Sequence, residues 1–244
     1  MDGLKKNFMP NAKNNDIKKR FKQVEGSHTF YNICNLFGLR NKKVLDIGCG
    51  YGQYLKHFGA GSVGVTTADD EVKFGKKNGL NIVFGNAEFL GETNLNTEFE
   101  AFWANNLFEH LLSPHAFLMN LKKFAKDDAV VILGVPVVPI FPWLLKLRWW
   151  RGPLASNHVN FFNVTTLKLT AQYAGWELLA VRPFIFKNSF LDILIRTFAP
   201  HMYVVAKNKK DFKYPPKKIH EWEGDEHYAD LLKITNQISS YKQI

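Results

Sequence analysis

Long apolar runs, grouped cysteines and an apolar leader are all missing from this 244-residue chain, and each absence narrows what the protein can be. A bilayer span needs ~20 apolar residues, and the apolar stretch 143–150, with Lys146 and Arg148 embedded in it, is much too short for one. Cys34 and Cys49 have neither disulfide nor metal-ligand spacing, which excludes a disulfide scaffold or zinc ribbon and suits a reducing compartment. Met1-Asp2-Gly3-Leu4-Lys5-Lys6 leads into polar sequence, so no signal peptide is visible and a cytoplasmic location is expected. Nothing announces a set of clustered Asp or Asn ligands for Mg²⁺, and no metal is expected. Internal repeats and low-complexity blocks are absent as well.

Acidic residues are also in short supply, with 22 Asp and Glu against 32 Lys and Arg, a net charge of +10. The excess is confined to two places. Residues 1–22 carry seven Lys/Arg against Asp2 and Asp16, residues 207–218 carry six against Asp211, and the body between is close to neutral. Such tails either attract phosphate or anionic lipid without specificity or are simply solvated.

What the chain does have is a stretch around which the rest is organised, Val44-Leu45-Asp46-Ile47-Gly48-Cys49-Gly50-Tyr51-Gly52. An apolar run of strand length opens into three alternate glycines, and Gln53 to Phe58 reads as the first turns of a helix. Strand, glycine turn and helix form a nucleotide-binding crossing, because glycine tolerates positive φ and lets backbone approach a ligand. A dinucleotide fingerprint, G-x-G-x-x-G, does not fit: the third glycine comes one residue early. Asp46 would repel a pyrophosphate and suits a ligand carrying an ammonium group.

Helices are expected near 16–24 and 27–38, with 1–15 mobile. Beyond the glycine turn, strands at 62–66, 81–84, 99–104 and 129–135 alternate with helices at 69–77 and 113–126. After Pro136 the pattern loosens into an aromatic insertion, 137–155. A helix at 164–174, a strand at 176–181, an irregular apolar stretch at 184–200 and a strand at 201–206 follow. Tyr228, Leu231, Leu232 and Ile234 suggest a last amphipathic helix. Alternation of this kind calls for a mostly parallel sheet covered on both faces.

The glycine stretch resembles motif I of the class I S-adenosylmethionine (SAM)-dependent methyltransferases, and the resemblance extends over roughly residues 40–182. It implies a Rossmann-like α/β fold of seven mostly parallel strands with helices on both faces and the last strand antiparallel. It implies SAM as cofactor, S-adenosylhomocysteine as product, and a cofactor site at Asp46, Gly48, Cys49, Gly50 and Gly52. The family usually ends its second strand in an acid for the ribose hydroxyls; here that slot holds Thr66, followed by Thr67. Asp69 or Asp70 either substitutes for the acid or caps the next helix, the cap being preferred. Asn86-Ala87-Glu88 is similar to the segment that reads the adenine edge. Asn105 and Asn106, before Phe108-Glu109-His110, become candidates for lining the methyl-transfer path.

The resemblance divides the chain into an N-terminal basic segment with cofactor-covering helices (1–39), the methyltransferase domain (40–207) and a basic tail (208–244). Of the eight histidines, His158 and His110 have a context for general-base work; His158 precedes an aromatic pair, as in quinone-type O-methyltransferases, where it either serves chemistry or anchors the insertion. The expected reaction is methyl transfer to an oxygen of a small or lipid-like acceptor. The insertion 137–153 is expected to act as pocket lid, membrane-surface contact or plain packing. Strand four is not followed by the prolines of amino-group nucleic-acid methyltransferases, so a nucleic-acid partner is not favoured. A lipid carbon methylase, an RNA or protein methyltransferase and a non-catalytic module are the alternatives.

Overall fold

The computed structural model describes residues 9–213; the tail helix expected around Tyr228 to Ile234 lies outside them. The elements described below belong to the unit that ends at Lys209. Seven strands, β1 (Val44–Ile47), β2 (Val63–Thr66), β3 (Ile82–Phe84), β4 (Phe99–Asn105), β5 (Ala125–Pro136), β6 (Trp176–Arg182) and β7 (His201–Asn208), form one sheet in the order β3-β2-β1-β4-β5-β7-β6. The first five are parallel neighbours, and β7 runs antiparallel to both β5 and β6. This is the expected fold, with the antiparallel strand where it was expected.

Residue parity sorts the core onto two faces. Leu45, Phe102, Ala104, Val131, Leu133, Val204 and Ala206 bury under α4 (Pro114–Leu121) and α5 (Val164–Tyr173). Val44, Ala101, Trp103, Val130, Ile132, Tyr203 and Val205 face the other way, against Phe30, Ile33 and Cys34 of α2 (His28–Phe37). Helix α2 begins at the Ser27 cap, whose hydroxyl accepts the Phe30 N–H at 3.2 Å, and ends at Gly38 with φ +65°.

Several expected boundaries move. The segment after the glycine turn forms no α-helix, only turns and one 3₁₀ turn, Leu55–His57. Few residues separate Gly52 from β2, and Gly59 lies so close to the Lys42 backbone that a Cβ there would meet it at 2.6 Å. Aromatic packing covers the sheet in the missing helix's place: the Phe30 ring lies 5.1 Å from Tyr54, 5.4 Å from Trp103 and 5.9 Å from Phe58. Helix α1 (Met9–Glu25) extends back into the Asn/Lys-rich segment expected to be mobile, with Pro10 in its first turn, where proline costs no hydrogen bond. Helix α3 (Asp69–Lys77) matches its expected span. Helix α4 stops at Leu121, because Ala125 and Lys126 already belong to β5. The stretch expected to be irregular, 184–200, contains α6 (Ser189–Ile195).

Helix α6 is held by a buried ion pair. Arg182 Nη1 donates to Asp192 Oδ2 at 2.8 Å, the other carboxylate oxygen accepts the Phe186 N–H at 3.0 Å, and the guanidinium lies 4.3 Å from the Phe184 ring centre. On the opposite helical layer, the Trp176 indole N–H donates to the Leu118 carbonyl at 3.1 Å.

Candidate active site

A cleft of about 370 Å³ opens at the carboxyl ends of the strands, where ligands bind in open α/β sheets. Each strand contributes the residues that follow it: Gly48 and Gly50 after β1, Thr66 and Thr67 at the end of β2, Gly85 to Glu88 after β3, and Leu107, His110 and Leu111 after β4. Arg20 of α1 and Glu71 of α3 complete the wall. Gly48, Gly50 and Gly52 all take left-handed φ, +71°, +57° and +81°, which is why the turn is written in glycine.

Asp46 is buried at the foot of this turn. One carboxylate oxygen accepts the Leu55 N–H, and Oδ2 has no hydrogen-bond partner. Burial pushes its pKa up to about 8, opposed by the Leu55 N–H. A buried carboxylate oxygen without a partner is costly unless a cationic group reaches it, and SAM carries an ammonium and a sulfonium. The site fits the cofactor that the motif implies.

The remaining motif I residues divide by role. The Cys49 thiol packs into the core, where a Cβ on Gly64 would come within 2.7 Å of its sulfur. The backbone N–H groups of Gly48 and Cys49 donate to the Val65 carbonyl at 2.9 and 3.1 Å, fastening the turn to β2. Gly52 lies against Leu80 and Ile82, so a side chain there would strike the core rather than the cleft.

Thr66 stands where an acid is usual, and the structure brings an acid to it. The Thr66 hydroxyl donates to Glu71 Oε2, while Glu71 Oε1 lies near Gly50 on the cleft wall. Glu71 was not foreseen, because it sits one helical turn after the strand end and its identity there carries no spacing signal. Asp69 and Asp70 do not cap α3; the cap position is Ala68, and both acids lie in the first turn, where they favour the helix dipole. Asp70 accepts the Tyr51 hydroxyl at 2.7 Å. Asn86 lines the cleft and caps the following turn through Glu88 N–H at 3.0 Å. Ala87 is on the wall beside it, and Glu88 Oε1 accepts the Leu112 N–H.

Asn105 and Asn106 are not among the residues that line the cleft. Asn105 donates to the Tyr54 hydroxyl at 3.3 Å and packs so closely on Gly134 that a Cβ there would lie 2.2 Å from its Oδ1. Asn106, with φ +53°, accepts from His201 Nε2 at 2.9 Å; burial holds His201 down at about 4, so the ring is neutral. The wall in this region is Leu107, His110 and Leu111.

His110 and His158 come together, their ring centres 4.7 Å apart and edge-to-face. The link is a clamp between two segments: Val159 and Asn160 N–H groups both donate to the Glu109 carbonyl at 3.0 Å, and the Asn160 amide donates to Leu111 O. His110 Nδ1 contacts the Asn157 carbonyl at 3.0 Å and His158 Nδ1 the Pro153 carbonyl at 3.1 Å. A carbonyl only accepts, so both Nδ1 atoms carry protons and each neutral ring keeps its lone pair on Nε2. Glu109, unremarked as a site residue in the sequence, faces both rings. Burial raises its carboxyl above the ordinary glutamate value, partly offset by its own backbone N–H and the two histidines.

The model of a methyltransferase domain family matches residues 20–181, two thirds of the chain. The chain belongs to this family. It is a SAM-dependent methyltransferase, and the alternative of a non-catalytic module falls away. No curated protein matches it in sequence. Among solved structures, a SAM-dependent methyltransferase of Thermotoga maritima, described as a possible histamine N-methyltransferase, is 16% identical with a TM-score of 0.55, covering 80% of this chain and 96% of its own. A SAM-dependent methyltransferase from Archaeoglobus fulgidus is 18% identical with a TM-score of 0.53, covering 77% and 97%. A TehB-like SAM-dependent methyltransferase from Corynebacterium glutamicum is 16% identical with a TM-score of 0.53, covering 82% and 100%. At these identities the likeness is one of fold.

Proposed function

We propose that this methyltransferase moves the methyl group to an oxygen of a small or lipid-like acceptor that approaches over His110. The observation that carries the reading is the imidazole pair of His110, which lines the cofactor cleft, and His158 against it, each with Nδ1 tied to a carbonyl and Nε2 left as a base. When bound, SAM supplies an electrophilic methyl on a sulfonium. The protein's share is positioning and proton handling. Asp46 would receive the ammonium group, Thr66 and Glu71 the ribose hydroxyls, and Asn86 with the Ala87 and Glu88 segment the adenine edge. His158, or His110 in its place, would take the acceptor's hydroxyl proton on Nε2, and the buried Glu109 carboxylate would steady the resulting imidazolium.

A second surface supports a lipid-like acceptor. Ile140, Phe141, Trp143, Trp149 (69% exposed) and Leu154 project from the insertion, and Phe190, Ile193, Leu194 and Phe198 project from α6 and the turn after it. Both groups flank one cavity of about 190 Å³ lined by Ile140, Trp150, Lys168, Arg196 and Ala199. Exposed aromatics interleaved with Lys146, Arg148, Arg151 and Arg196 suit the interfacial zone of a membrane. Among the described residues no helix is long and apolar enough to cross one, so the contact proposed is with the surface.

Calorimetric titration with SAM and S-adenosylhomocysteine, followed by transfer assays on hydroxylated, lipid-like acceptors, tests the reading. Methylated oxygen and a His158→Ala variant that loses turnover far more than SAM affinity are expected. A product methylated on carbon or nitrogen, or a fully active His158→Ala, overturns the acceptor and base assignments respectively.

A further inference from the structure

We infer that Glu109, His110 and His158 form a binding site for a divalent transition-metal ion of the zinc class, on the acceptor side of the cofactor cleft. One ligand atom from each residue lies within 4.8 Å of the other two. His110 Nε2 is 4.0 Å and His158 Nε2 3.9 Å from Glu109 Oε1. Those separations are too long for charge-assisted hydrogen bonds of about 2.7–2.9 Å. They are close to the spacing of tetrahedral ligands around Zn²⁺ at about 2.0–2.2 Å, where donor atoms sit roughly 3.4 Å apart. The two carboxylate–imidazole separations exceed that spacing by only about half an ångström.

Two further features point to a cation. Both imidazoles donate Nδ1–H to backbone carbonyls, the outer contact that fixes the tautomer of a metal-ligating histidine and aims the Nε2 lone pair at the ion. Glu109 is 1% exposed, its Oε1 faces both Nε2 atoms and its Oε2 has no hydrogen-bond partner, so a buried carboxylate and two imidazole lone pairs converge on one point. Two histidines and one carboxylate leave a fourth position open, as catalytic zinc sites do. His110 borders the cofactor cleft and its side chain is 32% exposed, which puts the open position on the cleft side. No spacing signals the set, since Glu109 and His110 are separated from His158 by α4, β5 and the insertion.

Ion binding itself is independent of the acceptor assignment; what the ion does there rests on that reading. A hydroxyl in the fourth position would have its pKa lowered by coordination, so that its proton would pass to solvent in the cleft rather than to His158, whose Nε2 lone pair would be held by the ion.

The test uses the full, untagged chain, stripped by a chelator and dialysed. Calorimetry with Zn²⁺ is expected to give one ion per chain, and Co²⁺ is expected to give the intense visible absorption of a four-coordinate site. His158→Ala and Glu109→Gln should each weaken Zn²⁺ binding at least tenfold while S-adenosylhomocysteine still binds, showing that the variants fold. Stripped wild type that binds S-adenosylhomocysteine but not Zn²⁺ overturns the inference, as does Zn²⁺ affinity unchanged in both variants. If a variant fails to fold, the wild-type Co²⁺ spectrum decides, and a weak six-coordinate spectrum overturns the site. Zn²⁺ binding without any O-methylation would instead leave the metal site standing and sink the acceptor assignment.

Discussion

The Asp46 carboxyl carries the sharpest consequence at the scale of a single residue. Burial raises it to about 8, whereas the unfolded chain titrates near 3.8. Between those values the native state holds a proton that the unfolded state has released, so this residue's contribution to stability falls as pH rises from about 4 to about 8. A cationic ligand that needs the carboxylate reverses the trend. SAM affinity should therefore improve with pH by up to about tenfold per unit below 8, and Asp46→Asn should both weaken binding and flatten the profile. Calorimetry from pH 6 to 8.5 reads both; a flat wild-type profile would remove Asp46 from the cofactor's cationic end. Glu71→Gln is expected to weaken SAM about tenfold, roughly 1.4 kcal/mol, because it removes the carboxylate that the Thr66 hydroxyl contacts. Glu71→Gln with unaltered SAM affinity would reduce that carboxylate to a packing role.

At the scale of elements, α6 hangs on a side-chain pair rather than on helix propensity. It is seven residues long, below the length at which an isolated helix is stable, and most of its apolar side chains are exposed. Asp192 is fully buried and satisfies both Arg182 and the Phe186 N–H. Removing one partner of a buried pair strands the other, at a cost of about 3–5 kcal/mol. Asp192→Ala should lower the denaturation midpoint accordingly, and proteolysis should then cut first between residues 184 and 198. A loss under about 1 kcal/mol would mean that the pair is solvated in solution.

At the scale of the whole molecule, two segments far apart in sequence, the insertion and the turn that follows α6, line the same cavity. A chain carrying Trp149→Ser and Phe190→Ser should keep its SAM affinity and lose binding to anionic phospholipid vesicles in sedimentation. Equal vesicle binding by the variant would leave the basic termini as the attractive element, and high salt would then release the protein. Ligand linkage offers a second global readout: SAM at a hundred times its Kd should stabilise the chain by about 2.7 kcal/mol in thermal unfolding, and an unmoved midpoint would contradict the cofactor site.

Local chemistry made much of this protein legible in one dimension. The run from Val44 to Gly52 reads as a buried strand entering a turn, because its alternate glycines admit the left-handed φ that other side chains resist. The alternation of apolar runs and amphipathic segments then dictates a parallel sheet. Thr66, Thr67, Asn86 and Ala87 could be placed at the cleft because strand ends in such a sheet share one edge. Length misled after Gly52, where the helical pattern of Gln53 to Phe58 had too few residues before β2 and gave way to aromatic packing. What only the tertiary structure decided are the turn of α3 that brings Glu71 back to Thr66, and the contacts that join distant segments: Asn106 held by His201, and Glu109 with His110 meeting His158. No periodicity encodes those meetings, since they depend on which strand ends and loops the folded sheet brings to one edge, and a side chain's chemistry is set by whatever that folding brings against it.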